Sequence, residues 1–168
     1  MGDYENCRFV NCNFSNTDLS KISFTACEFK GSNLSMAKLM NTGIKEVKFL
    51  NCKLLGLHFD TCNHILFQAY FDTCLLNLSS FYKLKIKKTT FTNCSLREVD
   101  FTETDLSGSL FNNCDLAGAL FQSANLEKAD LRSSYNYSID PERNRINKAK
   151  FSLIGISGLL DKYDIEIE

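Results

Sequence analysis

Eight cysteines, two histidines, 19 basic and 20 acidic residues are the groups in this chain with chemistry to offer. Cysteines serve as nucleophiles, disulfide partners or soft metal ligands, and their spacing decides which. Each of Cys7, Cys12, Cys27, Cys52, Cys62, Cys74, Cys94 and Cys114 stands two places before a member of one periodic set of residues, nearly all large and apolar. That placement reads as reduced thiols packed in a core. Cysteines stacked in successive coils would lie about 4.8 Å apart, within disulfide reach. Thiols stacked on flat sides do not converge on a tetrahedral metal centre.

The remaining groups offer less. His64 stands where the pattern breaks, a place where loops carry function, and it reads as a bulge whose imidazole bonds to backbone or water. His58 points outward with no catalytic partner nearby. The acids Glu98, Asp100, Glu103, Asp105 and Asp115 form the candidate acidic partner face, and Lys83, Lys85, Lys87 and Lys88 form a basic run about one coil side away. There is no Gly-rich phosphate loop, no His paired with Cys or Ser, and no metal-ligand spacing. No catalytic residue, cofactor or metal is expected.

What must position these groups is a repeat. From Phe71 an apolar residue returns every fifth place: Phe71, Leu76, Phe81, Ile86, Phe91, Leu96, Phe101, Leu106, Phe111, Leu116, Phe121, Leu126 and Leu131. Neither a helix nor a strand has that period, whereas an internal repeat does. Two places earlier sits a small residue, such as Cys94, Thr104, Ser109 or Ala124, with Leu84 the exception. On an extended segment both face inward, and the Asp or Asn between them faces out. The last two places are rich in Ser, Thr, Asn, Gly and Lys, which suits a corner. Four such sides close a square after twenty residues. Two patterns support that number. The central residue alternates between Phe and Leu or Ile, and Cys74, Cys94 and Cys114 lie twenty apart.

The same phase runs from Phe9 to Phe59, and a two-residue insertion near His64 restores it at Phe71. With that correction Cys12, Cys52, Cys74, Cys94 and Cys114 share one inward column, and Phe9, Phe29, Phe49, Phe71, Phe91 and Phe111 form one stack. The expected fold is an all-β solenoid of about six coils, a rod about 30 Å long at about 4.8 Å per coil.

The pattern Ala124-Asn125-Leu126 and Ala129-Asp130-Leu131 resembles the A(N/D)LXX motif of the pentapeptide-repeat family, over about four fifths of the chain. The resemblance implies a right-handed quadrilateral parallel β-helix over residues 1–133, an irregular final coil at 134–150, and a C-terminal segment at 151–168. In that segment Phe151, Ile154, Leu160, Leu153 and Leu159 suggest a short amphipathic helix, and Tyr163 to Glu168 alternates like a strand. A solenoid must cover its last coil, and this segment is the evident cap. It is also similar to the module through which members of the family dimerise. A homodimer through Phe151, Leu153, Ile154, Ile156, Leu159, Leu160 and Tyr163 is therefore expected.

The chain further resembles the quinolone-resistance members of that family, rods thought to occupy the DNA-binding saddle of DNA gyrase or topoisomerase IV. The resemblance implies a topoisomerase partner engaged by DNA mimicry. The charges leave a second reading open, a scaffolding rod that binds another protein through its flat faces. A net charge of −1 does not point to direct nucleic-acid binding. No apolar run reaches a membrane-spanning length and no charged leader precedes one, so the cytoplasm is the expected location.

Overall fold

The corners explain the period of five. In the computed structural model, which describes residues 2–166, the fifth residue of most units has positive φ, as at Asn11, Asn51, Asn93, Asn113, Gly31 and Gly108. Asn and Gly enter that left-handed region at low cost. At many corners the next amide closes on the central carbonyl, as from Thr17 to Phe14, Ala37 to Leu34 and Thr104 to Phe101, each at 3.1 Å. A left-handed third residue with that bond is the signature of a type II turn.

Between corners the chain is extended, and successive coils pair in parallel. One sheet joins β1 (Asp3–Glu5), β3 (Ser23–Thr25) and β5 (Gly43–Lys45). The other joins β2 (Arg8–Val10), β4 (Glu28–Lys30), β6 (Val47–Leu50), β7 (Ala69–Asp72), β8 (Thr90–Thr92) and β9 (Leu110–Asn112). Phe9 pairs with Phe29, Phe29 with Phe49, Phe49 with Phe71, Phe71 with Phe91 and Phe91 with Phe111. Each step is twenty residues except Phe49 to Phe71, which is twenty-two, as the insertion requires.

This sheet is the first of four walls. The second has Asn13, Asn33, Lys53, Leu75, Ser95 and Asp115 outward in one ladder. The third carries His58, Ser80, Asp100 and Leu120, with Asp18 beside Lys38 in earlier coils. The fourth begins with β1, β3 and β5 and continues through Lys85, Asp105, Asn125 and Arg145. The chain is a parallel β-solenoid.

The inserted residues are absorbed on the fourth wall by a short 3-10 turn, His64–Leu66, after another at Phe59–Thr61. His64 is exposed, and its Nε2 meets the Asp60 carbonyl oxygen. Phe67 turns inward to 8% exposure, edge-on to Phe59 at 5.7 Å. The amides of Asn63 and Gln68 still bond to the carbonyls of Thr42 and Ile44, at 2.9 and 2.7 Å. The coil widens without losing its place in the ladder.

The interior is filled by two facing aromatic columns. Phe29, Phe49, Phe71, Phe91 and Phe111 stack at 5.1–5.3 Å. Opposite them Phe59, Phe81, Phe101 and Phe121 stack at 4.7–5.4 Å. The columns meet edge to face at about 6 Å, as in Phe91 and Phe101 at 6.1 Å, the geometry aromatic quadrupoles favour. Leu76, Leu96, Leu106 and Leu116 are fully buried on the two remaining walls.

The repeat continues past Leu131, with Tyr135, Arg145 and Lys150 pairing in ladder positions. The chain then crosses the last coil as two 3-10 turns, Ile154–Leu159 and Asp161–Tyr163. These replace the expected amphipathic helix. Gly155 and Gly158 disfavour an α-helix, and both press on Tyr137. The strand expected from Tyr163 is also absent through Glu166, because Asp164 turns left-handed at φ 49 and no neighbouring edge pairs with it. The rest of that stretch lies outside the described residues.

Candidate protein-binding walls

The five column cysteines take the small inward place of their units. Cys52, Cys74, Cys94 and Cys114 are buried, Cys12 is half-buried near the open end, and all are free thiols. Their work is structural. The Cys52, Cys74 and Cys114 thiols donate to the carbonyls of Phe29, Phe49 and Phe91 in the preceding coil, at 3.3, 3.3 and 3.4 Å. Ser32, Ser134 and Thr104 make the same bond from the same place, to Phe9, Phe111 and Phe81 at 3.1, 2.9 and 2.8 Å. The small inward place is therefore a donor that ties coils together. Sequence reasoning missed this, although the recurrence of Cys, Ser and Thr there is its signal.

Three of the buried thiols, Cys62, Cys74 and Cys94, are poor nucleophiles, whereas the Cys74 sulfur holds Cys52 below the ordinary thiol range. The neighbouring Cys52 sulfur and burial push Cys74 up to about 12. For Cys94 the Cys114 sulfur acts downward, but the Cys74 sulfur and burial outweigh it and carry the group up to about 12. Burial and the Asp60 carboxylate raise Cys62 as well. Among the described residues no cluster of His, Cys, Asp or Glu has the arrangement to hold a metal ion.

The middle Asp or Asn of each unit also has a local role. The Oδ1 of Asp18, Asp100, Asp105 and Asp115 accepts the amide of the residue two ahead, at 2.8–3.1 Å. These acids brace their own corners, so the repeat fixes their number before any partner does. The structure brings Glu98, Asp100 and Glu103 together around the third wall, the two glutamates at its edges. Asp105 stands on the fourth wall and Asp115 on the second. Three of the five face a base: Lys83 lies 3.6 Å from Glu103, Lys87 3.3 Å from Asp105, and Arg97 3.7 Å from Asp115. Asp18 and Asp60 add to the third wall, where Lys38 stands beside Asp18 and His58 lies 3.3 Å from Asp60.

The C-terminal residues divide into two sets. Phe151, Leu159 and Leu160 are half-buried, with Phe151 5.7 Å from Tyr137. Leu153 and Ile154 are 88% and 95% exposed, and Ile156 and Tyr163 are exposed beside them. The segment is pinned by Lys162, whose Nζ lies 2.8 Å from Asp140 and 2.7 Å from Glu142. Those bonds raise the Lys162 pKa and lower those of both carboxyls. The Tyr163 hydroxyl donates to Glu142 at 3.0 Å.

A rod with four of its eight thiols spent on coil-to-coil bonds and with acids that brace corners offers walls. It belongs to the class of repeat solenoids that present flat, periodic surfaces. The chain belongs to the pentapeptide-repeat family, whose model, described as a pentapeptide repeat region, matches residues 3–69 and 64–135. Among solved structures it is similar to full-length QnrB1, a plasmid-mediated fluoroquinolone resistance protein. The TM-score is 0.64 at 23% identity, over 97% of this chain and 90% of that one. A trypsin-treated point variant of QnrB1 matches with a TM-score of 0.55 at 24% identity, over 99% and 91%. HetL, a pentapeptide-repeat protein involved in heterocyst differentiation regulation in the cyanobacterium Nostoc sp. strain PCC 7120, matches at 0.46 and 15%, over 90% and 86%. No protein of curated function matches the sequence. No helix among the described residues is long and apolar enough to cross a membrane.

Proposed function

We propose that this protein is a non-enzymatic, cytoplasmic interaction rod that docks on DNA gyrase or topoisomerase IV in place of DNA and confers quinolone resistance. One observation carries the reading. The acids Asp18, Asp60 and Asp100, with Glu98 and Glu103 at the edges, gather on the third wall, the kind of surface a phosphate-binding saddle attracts. The likeness to QnrB1 supports the fold this requires. The rod is a homodimer, joined through the exposed side chains of Leu153, Ile154, Ile156 and Tyr163, which extends the acidic wall to about twice its length.

A second reading has its own observation. The bases opposite Asp105 and Asp115 blunt the acidic character outside the third wall, and Lys83 opposite Glu103 blunts it at that wall's edge, as suits a scaffold for a different partner. Gyrase supercoiling, with and without a quinolone, separates the two. Micromolar protein is expected to inhibit supercoiling or to restore it in the presence of the drug. Glu98→Lys with Glu103→Lys is expected to remove the effect and keep the fold, since Lys occupies the same corner place at Lys83 and Lys88. No effect of the wild-type protein overturns the topoisomerase reading. A partner other than a topoisomerase, lost on reversal of Lys85 and Lys87 to Glu, establishes the scaffold.

A further inference from the structure

Thiols meet thiols in successive coils along Cys52, Cys74, Cys94 and Cys114, all buried, and at one further place near the open end. There Cys7 lies opposite Cys27, one position before the paired residues Arg8 and Glu28, and the Glu28 amide donates to the Cys7 carbonyl at 2.9 Å. Both side chains take the inward place of the first wall. Cys27 is 1% exposed, whereas Cys7 is half-buried. This pair therefore joins a thiol within reach of solvent to a buried one. It also lies in the first coil, whose strands β1 and β2 pair on one side only among the described residues.

Cys12 supplies the contrast. It is half-buried in the same coil, on the second wall, but the residue opposite it is Ser32, whose Oγ accepts the Cys12 amide at 3.1 Å. Two thiols with like access thus face different groups, a thiol in one case and a hydroxyl in the other.

We propose that Cys7 and Cys27 form a peroxide-responsive disulfide that fastens the first coil of the rod to the second. Opposed residues in adjoining coils lie about 4.8 Å apart, inside the Cα separation that disulfides span, and the Cβ atoms need to close by roughly 1 Å. The first coil can yield by that much because its ladder bonds lie on one face. Cys7 reacts first, since burial raises the Cys27 thiol and the thiolate is the nucleophile. The Cys7 sulfur attacks one oxygen of hydrogen peroxide, the O–O bond breaks, and the leaving hydroxide takes up a proton to become water. The Cys27 sulfur then attacks the sulfenic sulfur so formed, the S–O bond breaks, and the displaced oxygen leaves as a second water with the Cys27 proton. Two thiols lose two electrons, and one peroxide is reduced to two waters. The inference does not depend on the topoisomerase reading, since it concerns the end of the rod away from the proposed dimer surface.

The test treats the full-length protein with hydrogen peroxide in the presence of dimedone, which traps sulfenic acids, and maps the peptides by mass spectrometry. Cys7 is expected in a disulfide with Cys27 and free of dimedone, whereas Cys12 carries the trap. Cys27→Ser should turn Cys7 into a dimedone-labelled site. Ser32→Cys should do the reverse for Cys12, coupling it to the thiol introduced opposite. Both changes suit the fold, because Ser109 holds the inward place of Cys27 further along the rod and Cys52 holds that of Ser32. In the oxidised wild type, hydrogen exchange should slow severalfold at the amides of Asn6 and Asn11, which bond to the Thr25 and Lys30 carbonyls of the second coil. An unreacted Cys7, dimedone on Cys7 with Cys27 free, a link from Cys7 to Cys12 or to another molecule, or unchanged exchange each overturns the proposal.

Discussion

Phe101→Ala lowers the stability of the protein by about 3–5 kcal/mol, read as a fall in Tm of roughly 6–20 °C for a chain of this length. The size follows from where the ring sits. Phe101 is fully buried, stacked between Phe81 at 5.4 Å and Phe121 at 5.2 Å, and edge-on to Phe91 and Phe111, both at 6.1 Å. Those rings belong to other units whose backbones are fixed by the coil ladder, so they cannot close on the void. Phe101→Leu should lose less than half as much, since Leu fills the central place at Leu96 and Leu106. Thermal melting followed by circular dichroism gives both values. A loss under about 1 kcal/mol for the Ala variant would show that the site collapses freely.

Gly158→Val should release the C-terminal segment from the last coil. Gly158 is buried, and a Cβ there would lie 2.0 Å from the backbone carbonyl oxygen of Tyr137, which cannot move aside without breaking the coil. The Gly158 carbonyl also accepts the Ile139 amide at 2.8 Å, and that bond is lost on undocking. Overpacking of this kind costs about 1–3 kcal/mol, occasionally more. The released segment uncovers Tyr137 and Ile139 and withdraws the proposed dimer surface with it. Light scattering is expected to report a monomer together with a lowered Tm. Leu153→Lys with Ile154→Lys is the companion variant, because both side chains point to solvent. It should give a monomer whose Tm, measured at the same low concentration as the wild type, stays within a few degrees. A Gly158→Val protein that melts and associates like the wild type would remove the segment from both roles.

Much of the fold was legible in the residues because a solenoid writes its period directly into the chain. Phe9, Phe29 and Phe49 announce the twenty-residue step, and Cys52 followed by Cys74 reveals the insertion. Four features were not legible. Phe67 replaces His64 in the interior because a 3-10 turn expels residues whose number, but not path, the spacing shows. Cys74, Thr104 and Ser134 read as small fillers, since their bonds reach a carbonyl 23 or 25 residues back. The acids were read as one face because their sequence positions cluster, yet five residues turn the chain through a corner. Asp100, Asp105 and Asp115 therefore look out from three walls. The C-terminal segment followed neither period, and its shape depends on how Gly155 and Gly158 fit against Tyr137.

Thiol titration with peptide mapping tests most directly whether the inward places share one dry interior. In the native protein an aromatic disulfide reagent is expected to reach only Cys7 and Cys12, both half-buried at the open end, while all eight react after unfolding. Modification of Cys74 or Cys94 in the folded protein at the rate of a free thiol would contradict the account, because both would then face water.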